Sequence, residues 1–189
     1  MSIFKSKKAL FVTVVLIGSI IAWSLLLYQY GATTIVDYIG VENGYLITFF
    51  VSLFGGMSSL SGASYVATIT TLASGGLNPA YLALASGFGI TIGDTIYYLI
   101  GRYGYKNIDG TWLADKIAIF SVWLLKKPRW VITLGIYIYT GFTPLPNDVL
   151  TLTIGAARFP YILSIAALTL GNITLTFLIA TGAAELFSL

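Results

Sequence analysis

The chain has 189 residues, 57% of them hydrophobic and only 9% charged, with a net charge of +3. Soluble domains carry about 25% charged residues, so a single membrane-embedded bundle is expected. Cysteine and histidine are both absent, which excludes disulfide frameworks, thiolate nucleophiles, Ser-His triads and Cys/His metal or haem sites.

Lys5, Lys7 and Lys8 precede an apolar run over about 9–29. A cleavable signal peptide has an apolar core of about 7–15 residues and then a small-residue cleavage site. This run continues to Trp23, Tyr28 and Tyr30. It reads as an uncleaved spanning helix with its lysines on the cytoplasmic side. The loop over 31–44 has Asp37 and Glu42 but no Lys or Arg, which suits the outer face.

Residues 43–93 carry no charge, yet the small-residue cluster Gly55-Gly56-Met57-Ser58-Ser59-Leu60-Ser61-Gly62 interrupts them. The arm before it, from Tyr45, and the arm after it, about 63–73, are each too short for a comfortable span. Two short arms around a break describe a re-entrant hairpin; one kinked spanning helix plus a loop is the alternative. Pro79 suits the first position of the next helix, about 80–101. That helix contains Gly89, Gly93 and Asp94 and ends at Arg102.

The charged interval follows. Leu113, Ile117, Phe120 and Leu124 form a stripe that predicts an interfacial helix over about 111–126, with Trp112, Trp123 and Trp130 as anchors. Lys126, Lys127 and Arg129 place it on the cytoplasmic side, where it either meets anionic headgroups or only sets orientation. A second hairpin, about 130–157, has its tip at Pro144-Leu145-Pro146-Asn147-Asp148 and basic residues, Arg129 and Arg158, at both ends. A last helix, about 160–184, runs outward. The halves compare as an inverted repeat. Gly76-Leu77-Asn78-Pro79 matches Ala157-Arg158-Phe159-Pro160, and Gly93-Asp94 matches Gly171-Asn172.

Asp148 is the informative residue. An ionisable side chain at membrane depth is expensive and faces a polar cavity or a partner. Its candidate roles are proton carrier, cation ligand and hydrogen-bond acceptor, beside the plain role of capping the second arm. Asp94 is the other carboxylate at depth, with Tyr97 and Tyr98 following on the same face. Arg102 is placed either to grip phosphate or to snorkel as an anchor.

The stretch Gly89-Ile-Thr-Ile-Gly93-Asp94-Thr-Ile-Tyr97-Tyr98-Leu-Ile-Gly101-Arg102-Tyr-Gly104 resembles the G-x-x-x-G-D-x-x-x-Y-x-x-G-R-x-G motif of the DedA/VTT (SNARE-associated) membrane family. Pro144-Leu-Pro146-Asn147-Asp148, followed by Gly155 and Arg158-Phe159-Pro160, resembles that family's second hairpin and exit. Leu77-Asn78-Pro79 resembles the first exit. The resemblance covers about 45–185. Two features depart from it. Many members carry an acid in a Pro-x-x-Glu-like segment of hairpin one, where Ser58 to Tyr65 has none. Bacterial members often carry arginines in hairpin two, where Gly141 and Asn147 stand here.

The resemblance implies two opposed re-entrant hairpins; with the runs read above, the expected fold is an all-α membrane domain with three spanning helices, those two hairpins and a cytoplasmic interfacial helix. It also implies movement of phospholipid or polyprenyl-phosphate between leaflets, by a scramblase or a proton-coupled flippase, in a prokaryotic plasma membrane. The expected transport residues are Asp94, Tyr97, Tyr98, Arg102, Pro144, Pro146, Asn147, Asp148 and Arg158. Membrane lipids are the expected partners, with homo-oligomerisation open; no nucleic acid, cofactor or metal is expected. The alternative is a non-transporting membrane-organising or assembly protein. A lipid phosphatase is disfavoured by the missing His and Cys.

Overall fold

The computed structural model describes residues 32–55, 62–104, 119, 121–124, 126–143, 145 and 147–187. The first apolar run, the tip of hairpin one at 56–61, most of the interfacial segment, Pro144 and Pro146 lie outside them. The described residues are helical, with no strand among them. The helices are α1 (Ala32–Ile39), α2 (Val41–Gly55), α3 (Gly62–Ser74), α4 (Pro79–Gly104), α5 (Arg129–Phe142), α6 (Asn147–Ala156) and α7 (Tyr161–Phe187).

Among the described residues, only α4 and α7 are long and apolar enough to cross a membrane. The other described helices have 8 to 15 residues, short of the roughly 20 a span requires. The expected loop over 31–44 is instead helical. It bends at Gly40, whose φ of 84° is open to glycine at little steric cost. Asn43 Nδ2 caps the end of α1 by donating to the Ile39 carbonyl at 2.8 Å.

α4 packs on α7 at the centre. The other contacts repeat between halves: α2 lies on α4 as α5 lies on α7, and α6 lies on α4 as α3 lies on α7. The same local chemistry ends α3 and α6. Gly76 N–H donates to the Ala73 carbonyl (3.1 Å) and Leu77 N–H to the Leu72 carbonyl (3.1 Å). Arg158 N–H donates to the Gly155 carbonyl (2.9 Å) and Phe159 N–H to the Ile154 carbonyl (3.1 Å). Both are Schellman caps, with Gly76 and Arg158 left-handed at φ 96° and 55°. The apolar residue after each cap, Leu77 or Phe159, is buried in its own core cluster with Leu72 or Ile154.

These caps correct the register between halves. Gly76 matches Arg158, not Ala157, because the left-handed position defines the turn. The same spacing then matches Gly89 with Gly171, and Asp94 with Thr176 rather than Asn172. Packing agrees. A Cβ on Gly89 would lie 3.0 Å from Leu53 N and 3.1 Å from Ser52 Cβ on α2. A Cβ on Gly171 would lie 2.7 Å from Thr140 Cβ and 3.1 Å from Gly141 N on α5. Each glycine lets the first arm of its half approach the long helix.

Among the described residues, many large apolar side chains are exposed, while the interior holds polar groups beside its two apolar clusters. Tyr81, Leu84, Phe88, Ile92, Ile96, Leu99 and Tyr103 form an exposed stripe along α4. Ser52, Ser86, Thr91, Asp94, Thr140, Thr151, Asn172 and Thr176 are buried.

Candidate functional site

The buried polar residues form two groups across the α4–α7 contact. In the first, Ser52 Oγ donates to Ser86 Oγ at 3.0 Å. Ser86 Oγ and Thr176 Oγ1 are 3.2 Å apart, and Tyr65 Oη lies 2.6 Å from Thr176 Oγ1. Thr176 Oγ1 donates to the Asn172 carbonyl at 2.8 Å. With Tyr65 and Ser86 donating to Thr176, each hydroxyl has a donor role, and the group is closed. It joins α2, α3, α4 and α7.

The second group lies on the α6 side. Asn147 Nδ2 donates to Asn172 Oδ1 at 3.1 Å. Asn172 Nδ2 donates to Asp94 Oδ2 at 2.8 Å and reaches Thr91 Oγ1 at 3.4 Å. Asp94 is fully buried, and its other oxygen, Oδ1, has no hydrogen-bond partner. Thr151 stands beside that carboxylate, but its hydroxyl donates to the Asn147 carbonyl at 2.8 Å. Asp148 is half-buried, and its charge acts on both Asp94 and Tyr97. Asp94, Tyr97, Asn147 and Asp148 therefore belong to one neighbourhood.

Local sequence explains the α6 end. Thr143 is extended, with φ −120° and ψ 132°, as the residue before a proline tends to be. The chain resumes helix at Asn147, so Asp148 falls in the first turn of α6. There a carboxylate complements the positive end of the helix. Asp148 thus sits one position inside the helix, where the sequence had suggested a cap.

The tyrosine pair divides. Tyr97 is half-buried near the two carboxylates. Tyr98 is fully buried; its hydroxyl donates to the Phe159 carbonyl and accepts from Arg102 Nη1 at 2.8 Å. Tyr98 and Arg102 thereby tie α4 to the α6 exit. Arg158 is exposed at that exit. Tyr45 does the matching task in the other half, its hydroxyl accepting from Asn78 N–H at 3.1 Å.

Close packing sets the distance between α4 and α6. A Cβ on Gly101 would run into the Leu152 carbonyl, and a Cβ on Gly155 into the Tyr98 carbonyl. Sequence pattern alone assigns no role to Thr91, Thr151, Ser52, Ser86, Tyr65 or Thr176, and marks Asn172 only by its depth. Asn172 carried a signal: it is the lone side-chain amide in the uncharged run 159–184. The hydroxyls carried none, because Ser and Thr are common in such helices.

Thr140 Oγ1 is buried without a hydrogen-bond partner. Between halves, Thr140 corresponds to Ser52, and Leu168 stands where Ser86 stands. The missing hydroxyl accounts for the orphan.

No family model, curated protein or solved structure matches the chain.

Proposed function

We propose that the chain is an integral membrane lipid transporter of the DedA/VTT type, a scramblase or flippase of phospholipid or polyprenyl-phosphate. In this reading α2–α3 and α5–α6 are re-entrant hairpins entering from opposite faces. The run 9–29 is a third span, and the N-terminus is cytoplasmic. The observation that carries the reading is the buried polar seam between α4 and α7, which holds a fully buried carboxylate while apolar side chains cover the outside. A bilayer favours that inversion, because apolar surface meets lipid and polar groups must pair internally. Headgroups would cross where α6 meets the seam, with tails left in the bilayer. No reaction is assigned.

Reconstituted vesicles with fluorescent phospholipid in one leaflet test this. The wild type is expected to move label across. Asp148→Asn and Asp94→Asn are expected to slow that movement about tenfold or more, the loss of one or two charge-assisted hydrogen bonds. Wild-type vesicles that retain their asymmetry would exclude transport.

The full burial of Asp94 favours a second reading, a membrane-organising protein with a static polar seam. It predicts unchanged leaflet asymmetry together with a loss of stability in both variants.

A further inference from the structure

α2 turns one side inward. Its Thr48 and Ser52 are buried, and its backbone at Ser52 and Leu53 comes up against Gly89 of α4. On the opposite side Leu46, Ile47, Phe50 and Phe54 are exposed. There Ile39 of α1 and Asn43, Leu46, Ile47, Phe50 and Val51 of α2 line an open groove of about 520 Å³ at the α1–α2 bend. Asn43, Ile47, Phe50 and Phe54 follow at steps of four, three and four residues, so they share one helical face.

The chain itself supplies an occupant. The uncharged apolar run 9–29 ends just ahead of Ala32, where α1 begins. At 1.5 Å per residue the eight residues of α1 extend about 12 Å, close to the roughly 8–10 Å between the axes of packed helices. A segment that leads into α1 therefore stands about one helix width from the start of α2, and α4 already holds the other side of α2. The run carries a matching face. Gly18, Ala22, Leu25 and Gln29 follow at steps of four, three and four. Set in opposite directions, the two faces pair Gln29 with Asn43, Leu25 with Ile47, Ala22 with Phe50 and Gly18 with Phe54. The smallest residues meet the largest, and amide meets amide at the outer end. Asn43 gives its Nδ2 to the Ile39 carbonyl, so Gln29 is the donor of that pair. The other half differs. The matching face of α5 exposes Leu134, Ile138 and Phe142, but the chain between α4 and α5 is broken by charges and holds no uncharged run of span length.

We propose that the segment 9–29 docks antiparallel on the outer face of α2 in this register, so that the first arm of hairpin one is held between α4 and the N-terminal segment. Apolar burial alone does not drive helices together in a bilayer; close packing and hydrogen bonds between helices do. Gly18 and Ala22 against Phe54 and Phe50 supply the first, and Gln29 with Asn43 the second. The tether favours the chain's own segment over that of a second copy, because it is always at hand. The docking needs a bilayer but not lipid movement, so it stands or falls apart from the transport reading.

The chain has no cysteine, so introduced pairs report without background. Ala22→Cys with Phe50→Cys, and Leu25→Cys with Ile47→Cys, are oxidised in cell membranes. The full chain is then denatured and cleaved after Glu42, which lies between the two members of each pair. Both pairs are expected to hold the fragments together until reduced, since a disulfide forms when the Cα atoms lie within about 7 Å. Ile20→Cys with Phe50→Cys puts the first thiol on the far side of the same helix, and the joined product is expected to be lost. Joining no greater in the register pairs than in this control overturns the docking and leaves the groove to lipid tails. Single variants Ala22→Cys and Phe50→Cys, differently tagged and co-expressed, test the second copy; a product joining the two tags overturns docking within one chain. A second measurement uses no cysteine. Ala22→Phe is expected to lower the unfolding midpoint in mixed micelles, and Phe50→Ala in the same chain to restore most of it. Additive effects of the two substitutions overturn the contact.

Discussion

Gly155→Ala tests whether the α4–α6 distance is set by backbone contact. A Cβ at Gly155 would collide with the Tyr98 carbonyl oxygen and lie 3.0 Å from its carbonyl carbon and 3.1 Å from its Cα. All three atoms are backbone, so no rotamer change relieves the contact and the helices must part. Gly135→Ala on α5 is the control, because its Cβ meets nothing within 4 Å. Both substitutions gain about 1 kcal/mol in helix propensity. That gain cancels in the comparison and leaves the overpacking penalty, about 1–3 kcal/mol. Denaturant unfolding in mixed micelles is expected to show Gly155→Ala less stable than Gly135→Ala by that amount. Parting α4 from α6 also draws Asp148 away from Asp94; under the proposed transport function, the Gly155 variant is expected to slow lipid movement while the control does not. Equal stability of the two variants would refute the close-contact argument.

Arg158→Gly is expected to stabilise the protein by about 1 kcal/mol, since φ 55° strains a residue with a Cβ; a lower unfolding midpoint would contradict this. Tyr65→Phe removes one donor to Thr176 and is expected to cost about 1 kcal/mol. Thr176→Val strands Tyr65 and Ser86 in the interior and should cost more, about 1–3 kcal/mol. If unfolding ranks these two variants the other way, the proposed donor directions are wrong. Tyr98→Phe and Arg102→Ala are expected to be non-additive in a double-mutant cycle by about 1 kcal/mol, through the hydrogen bond between the two side chains. Additive effects would mean that bond contributes nothing.

Several elements were legible in the chain because their signals are local. Gly76 and Pro79 mark where α3 and α4 separate. Pro144 and Pro146 flag the break between α5 and α6, and the helices stop at Phe142 and resume at Asn147. The register between halves is not legible in the sequence, which offers only single glycines to align. Gly171 has two candidate partners, Gly89 and Gly93, and packing against the first arm is what distinguishes them. The helix at 32–39 is illegible for a related reason. Its eight residues give too little periodicity, and Gly40 ends it through a backbone angle that composition does not reveal.

Sequence alone determined that the chain is helical and overwhelmingly apolar, and that Asp94 and Asp148 are costly groups in uncharged surroundings. Those conclusions follow from composition and from the burial cost of charge, neither of which needs coordinates. Tertiary structure decided which groups meet. It placed Asp148 near Asp94, gave Asp94 its bond to Asn172 from 78 residues away, and turned Tyr98 from a candidate path residue into a tie between α4 and Phe159. Hydrogen bonds between distant helices depend on rotation about each helix axis and on how closely the helices approach. In this protein, Gly101 and Gly155 set that approach between α4 and α6, and Gly89 and Gly171 set it between α4 or α7 and the first arm of its half.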